Sequence, residues 1–478
     1  MSQPNVLLIC ADHFPGPLLG PDAPPRILLP TLNALAASGR LFTQAYSATP
    51  TCIPARRALM TGTTPQTHGD RTFREDVPMD PRLATLPQTF RDAGYQAYAV
   101  GKLHVYPQRD RIGFDDVILN EEGRHHLEGM GRDDFELFLE RQGYSGQELT
   151  HAMGNNEYGV RPWHLPEECH PTNWTVREMC RTIQRRDPTR PAFWYCSFVT
   201  PHPPVTPPAE YLDMYHQLGV EEPFVGEWAE DFDDLPYALK RHADRWEHPS
   251  RWEIELARKG FLAQCTYIDH QVRLLVGMLR EAGLLDDTIL LFTSDHGDML
   301  GNHNLWAKPP MYEWSARVPM VLVPTAGDER VGHHQVDDRL VELRDIMPTL
   351  LGLCDIEVPA TVEGLSMVGE RRRDHLYCEH YEGDRAMRMI RMEQFKLIWY
   401  PIGNRLQLFD LDNDPHELCD LSAAAEHART RRRLAALLAA ELYGSDTNWV
   451  RDGELVGEPD KLFAPAPNRG LSGQRGWR

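Results

Sequence analysis

The sequence predicts an α/β fold: a large, mostly parallel sheet sandwiched by helices, followed by a smaller C-terminal α+β domain. Three observations carry this. Short apolar runs alternate with helical patterns through the first two-thirds of the chain, the order of a sheet with helices on both faces. At 478 residues the chain is too long for one small core. After residue 368 the alternation gives way to closely spaced strand-like segments, which divides the chain into a catalytic-type domain over 1–368 and a small domain over 369–478.

The elements follow in order. A first strand is predicted over 6–10, then a helix over 31–38 with Thr31 as its start signal and Gly39 as its stop. A second helix begins near Cys52. A third, over 86–93, ends at Gly94 and leads into a strand over 96–100. Strands at 193–199, 288–293 and 319–323 continue the sheet, with a long helix over 253–282 stopped by Gly283. Residues 120–180 and 203–252 are irregular and rich in Pro, Trp, His and acidic groups, and they read as substrate-pocket walls or surface elaboration. In the C-terminal part, 387–392 and 395–400 form paired strands and 406–412 a third. The turn Asn413-Asp414-Pro415 and a helix over 423–442 follow. The tail from Gly453 to Arg478 is either disordered or docked on another surface, such as a second subunit.

Composition excludes several classes. A formal net charge of -20 argues against nucleic acid or an anionic membrane as a partner. No signal peptide is visible at the start, and no run approaches the ~20 apolar residues of a membrane span. Nine scattered cysteines do not read as a disulfide framework, so a reduced, cytoplasmic location is expected.

The most informative stretch is Thr51-Cys52-Ile53-Pro54-Ala55-Arg56. Pro54 suits the first position of a helix, which puts Cys52 at or just before the helix N-terminus. Backbone N–H groups and the helix dipole there favour a negative group, and Arg56 directs a bidentate oxyanion ligand to the same place. A lone cysteine is more often a small core residue, so the neighbours decide. In parallel sheets ligands bind at the carboxyl ends of strands. Those ends carry Asp12 and His13; Lys102 and His104; His202; and Ser294-Asp295-His296-Gly297-Asp298. Asp12, Asp295 and His296 suit a divalent cation. Arg56, Lys102 and Lys308 supply positive charge, and His104 and His202 are proton carriers.

This constellation resembles the type I, formylglycine-dependent sulfatases of the alkaline-phosphatase superfamily. Cys52-Ile53-Pro54-Ala55-Arg56 with Thr61-Gly62 is similar to the family's modification signature. Gly101-Lys102-Leu103-His104 is similar to its second signature, and Ser294–Gly297 with Gly301–Lys308 to its metal and lysine segment. Leu408–Pro415 resembles its C-terminal strand and turn. The resemblance implies a sulfuric ester hydrolase in which a separate formylglycine-generating enzyme oxidises Cys52. Residue 52, Asp12, Asp295 and His296 would hold one divalent metal, Ca²⁺ first, with Mg²⁺ or Mn²⁺ as alternatives. It further implies that Arg56 and Lys102 hold the hydrated aldehyde, that His104 is a base, and that His202 and Lys308 bind sulfate and assist the leaving alcohol. His13 stands where many members carry a second Asp, and His13 and His303 are assigned as ligands or supporting groups. The substrate would be an aryl, sugar or choline sulfate. Two other readings stand beside this one: a phosphonate monoester or phosphodiester hydrolase of the same superfamily, and a catalytically silent sulfate-ester binder with unmodified Cys52.

Overall fold

The first strand, β1 (Asn5–Asp12), is buried along its whole length, and its alternate side chains serve two cores. Leu7, Ile9 and Ala11 face one core and Val6, Leu8 and Cys10 the other. A strand covered on both faces has no polar side, which is why this segment reads as a continuous apolar run. The computed structural model describes residues 3–125, 127–148, 153–154, 156–246 and 249–465.

The remaining strands of the large sheet are β2 (Arg40–Tyr46), β3 (Gln96–Gly101), β4 (Asp116–Leu119), β5 (Ala192–Pro201), β6 (Thr288–Ser294), β7 (Met320–Val323) and β8 (Gln335–Glu342). Their order is β4-β3-β5-β1-β6-β7-β2-β8, and only the pairings of β7 with β6 and β2 are antiparallel. The fold class is therefore the one the sequence predicts. Strands β2, β4 and β8 carry no comparable apolar run; β8, QVDDRLVE, is an edge strand with charged side chains, as edges commonly are.

Helix α1 (Pro30–Ser38) and helix α2 (Cys52–Thr61) follow the first two strands. The helix Arg251–Glu281 opens with a capping box between Ser250 and Glu253 and lies across the sheet. Among the described residues no helix is long and apolar enough to cross a membrane. The irregular stretches hold helices that the sequence reading missed, including Asp134–Arg141, Pro171–Gln184 and Ala209–Leu218. Of their tryptophans, Trp174 is core, and Trp228 stacks on Tyr312 while donating to the Glu417 carbonyl.

The C-terminal sheet is antiparallel, ordered β12-β11-β10-β9 from β9 (Leu376–His380), β10 (Met387–Met392), β11 (Phe395–Tyr400) and β12 (Arg405–Asp410). The helix Ala428–Glu441 packs on it, starting later than expected because Ala425–His427 form a tighter turn first. Part of the tail docks on its own chain. Glu454–Leu455 pairs with Val450–Arg451, Ile402 bridges Glu458, and Phe463 packs edge-on against Phe232 at 5.3 Å. The rest of the tail lies outside the described residues.

Candidate active site

Sheet topology brings the polar strand ends together. β1 lies between β5 and β6, with Asp12 beside Pro201 and Ala11 beside Ser294. Thus Asp12, His202 and Asp295–His296 leave three neighbouring strands at one edge. β3 joins on the far side of β5, where Gly101 faces Ser197. A Cβ on Gly101 would lie 1.8 Å from the Ser197 carbonyl oxygen, and its φ of +104° is open to glycine alone. That glycine lets the chain turn so that Lys102 enters the same space. His13 (φ 72°) and His104 (φ 60°) are both left-handed, a conformation that costs about 1–3 kcal/mol for such residues and concentrates at functional sites.

Helix α2 starts at Cys52, with Thr51 as its N-cap. Pro54 is the third residue, not the first; it is still in the turn whose N–H groups have no helical partner, so it is tolerated. The Cys52 sulfur lies 3.2 Å from His296 Nε2 and 3.6 Å from an Asp12 oxygen. Burial, and then Asp12, push the thiol up to about 12. An unmodified Cys52 is thus a poor thiolate source.

Arg56 is one turn along α2 and fully enclosed. Its Nε donates to Asp295 at 2.9 Å, and Nη1 donates to the Lys102 carbonyl, Tyr195 and Ser197 at 2.8–3.1 Å. Nη2 is 3.8 Å from Asp12. Lys102 pairs with Asp12, and with Glu122 at 2.8 Å. Burial opposes the charge on Asp12, yet Lys102, then His202 and Arg56, hold its carboxyl well below the usual range. His202 donates its backbone N–H to the Asp12 carbonyl and engages the Pro203 carbonyl through Nδ1 at 2.6 Å. Burial, and then Lys308, pull its imidazole down to about 3.

His13 sits inside the cluster. Its ring centroid is 4.2 Å from that of His202 and 4.4 Å from that of His296, and its Nε2 meets the half-buried Lys308. Its Nδ1 is 2.9 Å from Asp298 Oδ2, and Tyr158 donates to the same oxygen. Donor atoms of Asp12, His13, Cys52 and His296 all lie within 4.8 Å of one another. Asp295 lies against this group, with Oδ1 3.7 Å from His296 Nε2. His104 is buried, its backbone N–H held by Glu121 and its ring edge-on to Phe73 at 5.4 Å.

One candidate lies elsewhere. His303 accepts from the Gly226 N–H and sits in an aromatic box of Phe224, Trp228 and Tyr312. It is not among the residues whose donor atoms gather at the cluster. The fold also recruits residues that sequence reasoning did not assign: Glu122, Tyr158, Tyr195, Ser197 and Asp298. Asp298 alone had a local signal, since it follows Ser294–Gly297 directly.

Residues 4–356 match the Sulfatase family, and residues 301–442 match the family described as N-sulphoglucosamine sulphohydrolase, C-terminal. The chain belongs to the sulfatase family. It is 34% identical to an arylsulfatase of Clostridium perfringens over 470 residues, covering 95% of this chain and 97% of that one. It is 28% identical to a choline-sulfatase of Rhizobium meliloti, covering 88% of this chain and 82% of the relative. Among solved structures, the phosphonate monoester hydrolase of Agrobacterium radiobacter shares the fold, with a TM-score of 0.79 and 24% identity over 91% of this chain and 95% of its own. This sulfatase-family chain is thus a sulfuric ester hydrolase, and the matches run through both of its sheets.

Proposed function

We propose that the chain hydrolyses sulfate monoesters with residue 52 in the formylglycine form and one divalent cation held by Asp12, His13, residue 52 and His296, with Asp295 alongside. The observation that carries this reading is the placement of Cys52: buried at a helix start, within 3.6 Å of Asp12 and His296, in a cluster whose donor atoms suit a metal. When present, the cation supplies Lewis-acid polarisation and the hydrated aldehyde a hydroxyl nucleophile that can be regenerated. Two imidazoles among the donors favour Mn²⁺ over Ca²⁺, which prefers an all-oxygen shell.

The chain's own groups do the rest. Arg56, fixed by Asp295 and three further acceptors, sets the direction of the α2 start and compensates the carboxylates. Lys102 holds Asp12 ionised. Lys308, half-exposed at the mouth, meets the sulfate oxygens with positive charge. His202, with Nδ1 engaged by Pro203, keeps Nε2 for contact with the departing alcohol. His104 takes the proton released when residue 52 is restored.

A formylglycine-generating enzyme is the partner this requires during maturation. The nine cysteines, all free, support work in the reducing cytoplasm. The phosphonate monoester or phosphodiester reading is favoured by the Asp295–His296 pair and the fold; Lys102 beside Asp12, and a histidine at position 104, favour sulfate. The test is mass spectrometry of the tryptic peptide 41–56 from protein made with a formylglycine-generating enzyme, followed by rates on an aryl sulfate and a phosphate diester. Conversion of residue 52 with faster sulfate turnover is expected. Faster diester turnover would overturn the sulfate reading, and an intact thiol without activity would support a binder.

A further inference from the structure

Beside the reacting centre lies a cavity that shares two of its residues. His202 forms one wall, and Glu122, the partner of Lys102, forms another. Trp163 and Phe135 add apolar surface. The indole is fixed before any ligand arrives: the Trp163 backbone N–H donates to the Pro207 carbonyl at 2.9 Å, its Nε1 donates to the Pro166 carbonyl at 3.3 Å, and its ring stands edge-on to His170 at 5.1 Å. The cavity's charge is one-sided. Glu122, Glu136 and Glu148 face it, while no Lys or Arg lines it among the described residues. Glu122 is compensated by Lys102 and Arg124, and Glu136 is 2.7 Å from His125. Glu148 pairs with no cation among the described residues.

We propose that this cavity receives the leaving alcohol, and that the protein acts on sulfate esters of apolar alcohols that are uncharged or cationic and rejects alcohols bearing a second anionic group. The inference rests on the sulfatase reading above, because His202 packs against His13 of the cluster and is also a cavity wall. A ring entering between Trp163 and Phe135 gains burial and an aromatic contact. A second sulfate or a carboxylate would lose its water, meet Glu148 and find no counter-charge, the costly way to bury an ion. A cationic alcohol would meet Glu148 and the Trp163 face favourably.

The experiment compares kcat/KM for three phenyl sulfates with para substituents that are anionic (carboxylate), neutral (carboxamide) and cationic (trimethylammonium). It uses the full chain with residue 52 converted and the metal supplied, and repeats the set with Glu148→Lys. The ratio of anionic to neutral ester, compared between the two proteins, cancels the intrinsic reactivity of each ester. We expect the parent to favour the neutral ester over the anionic one by about tenfold or more, and Glu148→Lys to raise the anionic-to-neutral ratio by about tenfold, the scale of one charge contact at a partly wet site. Trp163→Ala should raise KM for the aromatic esters while leaving inhibition by inorganic sulfate unchanged. A parent that favours the anionic ester, or a ratio that Glu148→Lys does not move, overturns the cavity assignment and leaves the sulfatase reading standing. No turnover of any sulfate ester by converted protein overturns both.

Discussion

His13 is where this site departs from a carboxylate-rich one. A second Asp in its place would bring negative charge; the imidazole brings a neutral donor whose orientation must come from outside. Asp298 provides it at 2.9 Å and is itself held by Tyr158. A carboxylate on the far nitrogen fixes the tautomer and raises the basicity of a ligating histidine. Asp298→Asn should therefore weaken divalent-ion binding about 10–100-fold, measured by titrating Mn²⁺ into metal-stripped protein. Unchanged affinity would remove His13 from the ligand set. The residue types at the strand ends were legible in the sequence because polar side chains there interrupt apolar runs. Tyr158 and Ser197 were not, since a lone tyrosine in an irregular stretch and a serine within a buried strand carry no local signal.

At the scale of elements, the site depends on how the second sheet is fastened to the first. Lys396 of β11 is fully buried and pairs with Glu313 at 2.6 Å and Glu417 at 2.7 Å. Glu313 also accepts from Tyr46, the last residue of β2. One ammonium thus joins the C-terminal strand, the segment before β7 and the strand that leads toward α2. Lys396→Met would leave two carboxylates buried together, and a loss of about 3–5 kcal/mol is expected in urea unfolding. A loss below about 1 kcal/mol would show that the carboxylates find protons or water at little cost. The sequence placed β10, β11 and β12 correctly from their apolar pattern. It could not show that Lys396 is interior, because a lysine in a strand ordinarily faces water.

For the whole molecule, acid response is a balance of buried groups. Burial pulls His68, His170, His242 and His303 down to about 3. In the unfolded chain each would titrate near 6.5. Between those values the unfolded state binds the extra proton, so each histidine lowers stability as pH falls, by about 1.4 kcal/mol per pH unit once the unfolded form is charged. Asp133 and Glu417, which burial pushes up to about 8 and about 7, act in the opposite sense. A variant isolates one contribution. His170→Asn should be less stable than the parent at pH 7.5, having lost the contact with the Thr206 carbonyl. Its deficit should narrow by about 1.4 kcal/mol at pH 5.5, read from urea midpoints. A deficit that stays constant would mean that His170 is protonated in the fold.

By itself the sequence determined the class of fold, the strands buried on both faces, the helix start at Cys52 and the set of ionisable residues at the strand ends. Each of these is written in local pattern: apolar runs, turn residues, and a Pro and an Arg at fixed offsets from a Cys. Only the tertiary structure decided which of those residues meet. The order β3-β5-β1-β6 puts Lys102, His202, Asp12 and His296 side by side although they lie up to 284 positions apart, and it leaves His303 in an aromatic box instead. It also turned His13 inward onto Asp298 and set Glu148 and Trp163 around the His202 wall. These are consequences of strand order and loop packing, which depend on contacts between distant segments and leave no mark in any one of them.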